Sequence, residues 1–280
     1  MADMRSSIVI TVFSTASGIG KTFLATNIAA ELAHHGHSVC LIDLDLQFGD
    51  VCNYLKLEPQ LTIADAQLAL ERSPDQFRAD HFLTTFRHGD TSFAIIPPPR
   101  TLLESYNIQS GTLEQLVVAL NHFDFIIFDT PKIFSDLILT ALDLSTVITF
   151  LCVADFVPAI KNLKTGYDTL HRFSYEDNRI RLVQNRSDSQ KLILTEDVEQ
   201  VLGKQFYYNL PNDFMSAKRS IERGYPLVLD SGSNPLADSL KLLVGQLTNR
   251  ETTSTVEPEP ETQSGGGIIS WFKGLFGGRG

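Results

Sequence analysis

A mostly parallel α/β sheet with helices on both faces is the fold this chain predicts, and three observations carry it. Apolar runs of strand length alternate along the chain with amphipathic runs at helical spacing, as parallel strands joined by crossover helices require. Two of those runs, Ser38-Val39-Cys40-Leu41-Ile42 and Phe125-Ile126-Ile127-Phe128, are apolar almost throughout, the composition of strands buried on both faces. The first run, Ile8 to Phe13, leads through a Gly-bearing stretch straight into a helical pattern. With 280 residues, 43% of them hydrophobic and 20% charged, the chain can bury the core of one large domain.

The first helix announces itself behind the Gly-bearing stretch, where Phe23, Leu24, Ile28, Leu32 and Ala33 recur at helical spacing, and it fades near His34-His35-Gly36-His37. The three histidines suit a helix C-terminus before a glycine stop better than a metal site. The strand Ser38 to Ile42 comes next and is expected to neighbour the first. Leu61 to about Arg87 reads as two short helices broken near Ser73-Pro74, and Ser92 to Ile96 as a strand closed by Pro97-Pro98-Pro99. Gln109 to His122 is an amphipathic helix, with Leu113, Leu116, Val117 and Leu120 on one face. Strands are expected over Phe125 to Phe128, Val147 to Val153, Arg179 to Val183 and Gln205 to Leu210, and helices over Pro158 to Phe173 and Leu236 to Leu247.

Three features carry chemistry. Ser14-Thr15-Ala16-Ser17-Gly18-Ile19-Gly20-Lys21-Thr22 reads as a phosphate loop. Backbone amides at a helix N-terminus point at an anion, Lys21 reaches the outer phosphates and the Thr22 hydroxyl takes a Mg²⁺ position. Thr15 stands where GxxxxGK[ST] has its first glycine. Downstream, Phe125 to Phe128 deliver Asp129 to the sheet edge in a Walker B arrangement, where it can accept from Thr22 or from a Mg²⁺-bound water. Asp43 and Asp45 stand two apart after the second strand, at the edge where open α/β sheets bind ligands.

These residues resemble the MinD/ParA branch of P-loop ATPases, the deviant Walker A group, and in particular its CpaE/TadZ-like pilus-assembly members. The resemblance covers about residues 6–249. Its most specific piece is Leu41-Ile42-Asp43-Leu44-Asp45-Leu46-Gln47-Phe48-Gly49-Asp50, supported by Phe128-Asp129-Thr130-Pro131, Asn185-Arg186, Leu210-Pro211-Asn212-Asp213, Gly224-Tyr225-Pro226-Leu227 and Asn234-Pro235-Leu236-Ala237. It implies a P-loop NTPase fold and an ATPase that dimerises with ATP and Mg²⁺. Ser17, Gly18, Ile19, Gly20, Lys21, Thr22 and Phe23 would then cradle ATP, with Thr22, Asp43 and Asp129 about the Mg²⁺. Asp45 would position the attacking water beside Lys21, while Asn185, next to Arg186, would bond the adenine edge and Pro211 would line the base pocket.

The departures matter as much. The group's loop reads KGGxGK[ST], and here Ala16 holds the signature lysine position and Ser17 the first glycine. Alanine supplies no charge to a developing leaving group, so hydrolysis is expected to be slow or to depend on another cation, such as Arg186 or Arg219. CpaE-like proteins often carry a receiver-like domain ahead of the ATPase, and none is expected in the residues before Ile8.

The far end changes character. Residues 1–249 are expected to form the ATPase domain and 250–267, rich in Thr, Ser, Pro, Glu and Gly, a disordered tether. Residues 268–280 read as an amphipathic helix with Ile268, Trp271, Phe272, Leu275 and Phe276 on one face. Together with Ile269 and Lys273 they are expected to bind an anionic membrane surface, and the segment resembles the C-terminal membrane-targeting helix of MinD. A formal charge of −10 argues against a nucleic-acid coat, and Lys218, Arg219 and Arg223 are too few to overturn that. Cys40, Cys52 and Cys152 show no CxxC spacing and suit reduced thiols in a cytoplasm. The expected function is an ATP-binding spatial organiser, peripheral on the inner face of the cell membrane, that positions an assembly such as a pilus or secretion machine through a protein cargo or activator. A non-hydrolysing scaffold and a nucleoid-bound cargo positioner are the alternatives.

Overall fold

In a computed structural model, residues 7–188 and 193–248 are described. The chain runs β1 (Ile8–Phe13), α1 (Lys21–His34), β2 (Val39–Asp43), α2 (Val51–Tyr54), α3 (Ile63–Arg72), β3 (Thr84–His88), β4 (Thr91–Ile96), α4 (Leu102–Ser105) and α5 (Ser110–Ala119). It continues through β5 (Phe125–Asp129), α6 (Asp136–Leu144), β6 (Val147–Cys152), α7 (Val157–Arg172), β7 (Ile180–Gln184), α8 (Thr195–Leu202), β8 (Tyr208–Asn209), α9 (Phe214–Arg223) and α10 (Pro235–Leu247). The tether expected over 250–267 and the amphipathic helix expected over 268–280 lie outside the described residues.

The strands form one sheet in the order β3-β4-β2-β5-β1-β6-β7-β8, parallel throughout except for β3 against β4. Alternate side chains feed two cores. Ile126 and Phe128 of β5 join α5, α6 and α7 on one face, while Phe125 and Ile127 join α1 and α10 on the other. Helices therefore cover both faces, as the apolar strands predict. That burial explains why the central strands show no polar alternation: every residue of β2, β5 and β6 is buried.

Three expectations change. β2 does not neighbour β1, because β5 is inserted between them, pairing with β1 from Ile8↔Phe125 to Val12↔Asp129 and with β2 from Val39↔Phe125 to Asp43↔Asp129. The second helix expected before Arg87 is two short 3₁₀ turns, Pro74–Gln76 and Ala79–Phe82, followed by β3. β3 pairs antiparallel with β4 across Gly89-Asp90, where Gly89 takes a φ of 57°. The strand expected over Gln205 to Leu210 contracts to the two residues of β8 at the sheet edge. The histidines end in local contacts: His34 lies 3.2 Å from Thr91, His35 pairs with Glu31 and His37 with Asp124.

Candidate functional site

The sheet order builds the site. Placing β5 between β1 and β2 carries Asp129 to the C-terminal edge, with the loop after β1 on one side and Asp43 directly opposite on the other. The loop then turns into α1 through Gly18 and Gly20, whose φ values of 67° and 97° lie where only glycine sits without strain. Gly20 is the N-cap of α1, no side chain caps the helix and its first turn holds no acidic residue. The N–H groups of that turn thus remain available to an anion, with the helix dipole behind them.

The Thr15 departure has a structural answer. A Cβ on Gly166 of α7 would lie 2.3 Å from Thr15 Cγ2 and 2.9 Å from Phe150 Cζ. The glycine missing from the loop is thus offset by one on the packing helix, which gives the threonine its space.

Around the loop, charges converge. Thr22 Oγ1 donates to Asp129 Oδ2 at 2.6 Å, and Lys21 Nζ donates to the Ala16 carbonyl at 3.4 Å. Asp43 is fully buried and accepts from the Asp45 and Val51 amides, with Gly49 so close that a Cβ there would meet its carboxylate at 2.5 Å. Asp45 accepts from the Phe48 amide and lines the cleft of about 570 Å³ in front of Lys21. Burial dominates the titration of Asp43, Asp129 and Lys21. It pushes the Asp43 carboxyl well above its ordinary range and that of Asp129 up to about 7, against the Thr22 hydrogen bond and the Lys21 charge. It also lowers the Lys21 amine, opposed by Asp129 and Asp45.

The carboxylates fit a magnesium-bound nucleotide. Asp129 Oδ1 is buried and has no hydrogen-bond partner among the described residues, a costly state for an ionised oxygen that a nearby cation and its waters would relieve. Among the described residues no cluster of three or more His, Cys, Asp and Glu forms a self-sufficient metal cage.

A second cleft, of about 480 Å³, lies on the other side of the loop and brings together Gly18, Gly20, Phe23, Asn185, Arg186 and Pro211. Asn185 Nδ2 donates to the Ile19 carbonyl at 2.8 Å, and its Oδ1 accepts from the Arg186 amide. The amide therefore clamps the loop, and retains one further hydrogen and lone pair for a base edge. Arg186 also donates to the Gly18 carbonyl, whereas Arg219 turns onto Met215 and Ser216 of its own helix. Lys218 pairs with Glu222 and Arg223 with Asp230, so the basic cluster of α9 is a salt-bridged surface. Ile19 is buried, while Ser17 is exposed at the mouth of the first cleft. The sequence reasoning missed Gly166, Gly49 and Lys132, the last of which lines the first cleft three residues beyond Asp129.

Comparison with known proteins agrees with this geometry. The chloroplastic septum site-determining protein minD homolog of Arabidopsis thaliana is 26% identical over 277 residues, covering 95% of this chain and 82% of that protein. A ParA family ATPase from Chlorobium tepidum superposes with a TM-score of 0.77 at 21% identity, over 85% of this chain and 99% of that one. The septum site-determining protein MinD of Pyrococcus horikoshii, solved as a complex with Mg-ADP, gives 0.72 at 17% identity, over 86% and 96%. The profile of the CobQ/CobB/MinD/ParA nucleotide binding domain, CbiA, matches residues 10–226, a span that takes in the loop, the three carboxylates, Asn185 and Pro211. The chain belongs to the CobQ/CobB/MinD/ParA nucleotide-binding domain family.

Proposed function

We propose that this protein binds ATP with Mg²⁺, dimerises in that state and attaches to a membrane surface, where it positions a cellular assembly in the manner of MinD/ParA ATPases. The observation that carries the reading is the convergence of Lys21, the Thr22–Asp129 bond, Asp43 and Asp45 at one sheet edge. In this reading Lys21 and the amides opening α1 hold phosphate oxygens, and Asn185, Phe23 and Pro211 flank the base. Asp129 fixes the Thr22 hydroxyl, and Asp45, exposed to the first cleft, orients and accepts a proton from the attacking water. Magnesium, when bound, supplies positive charge to the phosphates and to the buried carboxylates.

The relatives named for septum-site placement support a spatial role. The CpaE-like string from Leu41 to Asp50 supports a pilus or secretion machine as the assembly placed. Membrane attachment rests on the sequence of residues 268–280, where five large apolar residues recur at helical spacing. One such short segment binds weakly, and two on a dimer gain through effective concentration, so nucleotide would govern membrane residence. A peripheral place on the inner face of the cell membrane is the location this reading gives. Among the described residues no helix is long and apolar enough to cross a bilayer.

Ala16 favours a second reading, a nucleotide-bound scaffold that does not hydrolyse. Phosphate release by wild type and Asp45→Ala, with and without lipid vesicles, decides between them. The ATPase reading expects lipid-stimulated release that Asp45→Ala abolishes while ATP binding persists. Release unaffected by Asp45→Ala contradicts the role given to that carboxylate, and no release under any condition favours the scaffold.

A further inference from the structure

Two lysines line the cleft in front of the loop. Lys21 reaches it from the start of α1, and Lys132 from the segment joining β5 to α6. That segment is fixed at both ends. The buried Thr130 donates from its hydroxyl to the Val12 carbonyl at 2.8 Å, and Ser135 caps α6 by accepting from the Ile138 amide. Pro131 stiffens the backbone between them. Lys132 is therefore held at the mouth of the loop, three residues beyond the carboxylate that grips Thr22.

Lys132 is exposed and, among the described residues, forms neither an ion pair nor a hydrogen bond, although Asp45 and Asp136 line the same cleft. Its charge also acts on Lys21, helping burial to lower that amine. Two like charges directed into one cleft repel each other, and an anion seated between them turns that cost into attraction. The loop itself offers no second cation, because Ala16 carries none, and Arg186 and Arg219 are engaged on the far side of the loop and on α9.

We propose that Lys132 is the second phosphate-facing cation of this site: it contacts the terminal phosphate of a bound nucleoside triphosphate and so makes the protein distinguish triphosphate from diphosphate. The assignment rests on the nucleotide reading above. The discriminating charge comes from the segment behind Asp129 rather than from the loop, so tri- or diphosphate at the site is read directly by the β5–α6 connection.

The test is equilibrium titration of the full chain with Mg-ADP and with a slowly hydrolysed Mg-ATP analogue. Lys132→Ala is expected to weaken the triphosphate about tenfold, the lower end for a hydrogen bond to a charged group, and the diphosphate less than about twofold. Lys132→Arg should retain most of the preference, and adding Ala16→Lys to Lys132→Ala should restore part of it. Equal loss of both nucleotides, or no loss of either, overturns the assignment while leaving the nucleotide site standing. Failure of the unmodified protein to bind either nucleotide overturns both.

Discussion

Replacing Asp129 by asparagine should stabilise the nucleotide-free protein, and by more as the pH rises. The Asp129 side chain is 1% exposed, accepts one hydrogen bond from Thr22 and keeps its other oxygen without a partner among the described residues. Burial lifts its carboxyl from 3.8 to about 7, with Asp45 and Asp50 adding to the rise and Thr22 and Lys21 opposing it. The folded protein thus holds this proton more tightly than the unfolded chain. The stability it contributes is whole below 3.8 and is lost progressively as the pH climbs through about 7. Three units at ~1.4 kcal/mol each give about 4 kcal/mol above that window. This is a ceiling, because Asp43 lies directly opposite on β2 and competes for the same proton. Asparagine carries no charge and can still accept from Thr22, so it removes the penalty without losing the bond. At about 2–4 °C per kcal/mol for a domain of this size, that ceiling limits the rise in Tm in chelator to about 8–16 °C at pH 8, with less than half as much expected at pH 5. Saturating Mg-ATP should reverse the order, raising the wild type above the variant. A Tm difference that is the same at both pH values, or a wild type more stable at pH 8 without nucleotide, would refute the account of this carboxylate.

Two further perturbations probe the loop packing and the C-terminal segment. Gly166→Ala, which in an ordinary helix interior gains up to about 1 kcal/mol, should here destabilise by about 1–3 kcal/mol in chemical denaturation, because the new Cβ meets Thr15 and Phe150. Thr15→Gly should recover part of that loss, and a Gly166→Ala protein more stable than wild type would sink the packing argument. Ending the chain at Arg250, or introducing Phe272→Glu, should sharply reduce co-sedimentation with anionic vesicles and leave ATP affinity intact; equal pelleting of the truncated protein would remove the membrane role from residues 268–280.

Much of the fold was legible because its central strands are buried on both faces, which writes them as short unbroken apolar runs. The order of those strands was not. Nothing local in β2 records that β5, more than eighty residues later, will take the place beside β1. β3 carried a readable signal that helical periodicity masked. Phe86 is buried between the exposed Thr85 and Arg87, and a two-residue Gly89-Asp90 turn joins β3 to β4. α6 escaped notice although Leu137, Ile138, Ala141 and Leu142, the residues it buries, recur at helical spacing. α2 and α4 are single turns, too short to show a period at all.

At the site, Lys21, Thr22 and Asp129 were legible as local motifs, since Lys21 and Thr22 open the helix behind the first strand and Asp129 closes an apolar one. Gly166 was not, because it answers Thr15 from a helix about 150 residues away. Lys132 belongs to no motif, and only the path of the chain after β5 brings it to the cleft in front of the loop.

The central claim is that the turn ahead of α1 holds a nucleoside triphosphate, and calorimetric titration with ATP in the presence and absence of magnesium tests it most directly. Saturable, magnesium-enhanced binding at one site per chain, lost in Lys21→Ala, is the predicted result. An unmodified protein that takes up no heat from ATP with magnesium, or a Lys21→Ala variant that binds as tightly as the wild type, would contradict it.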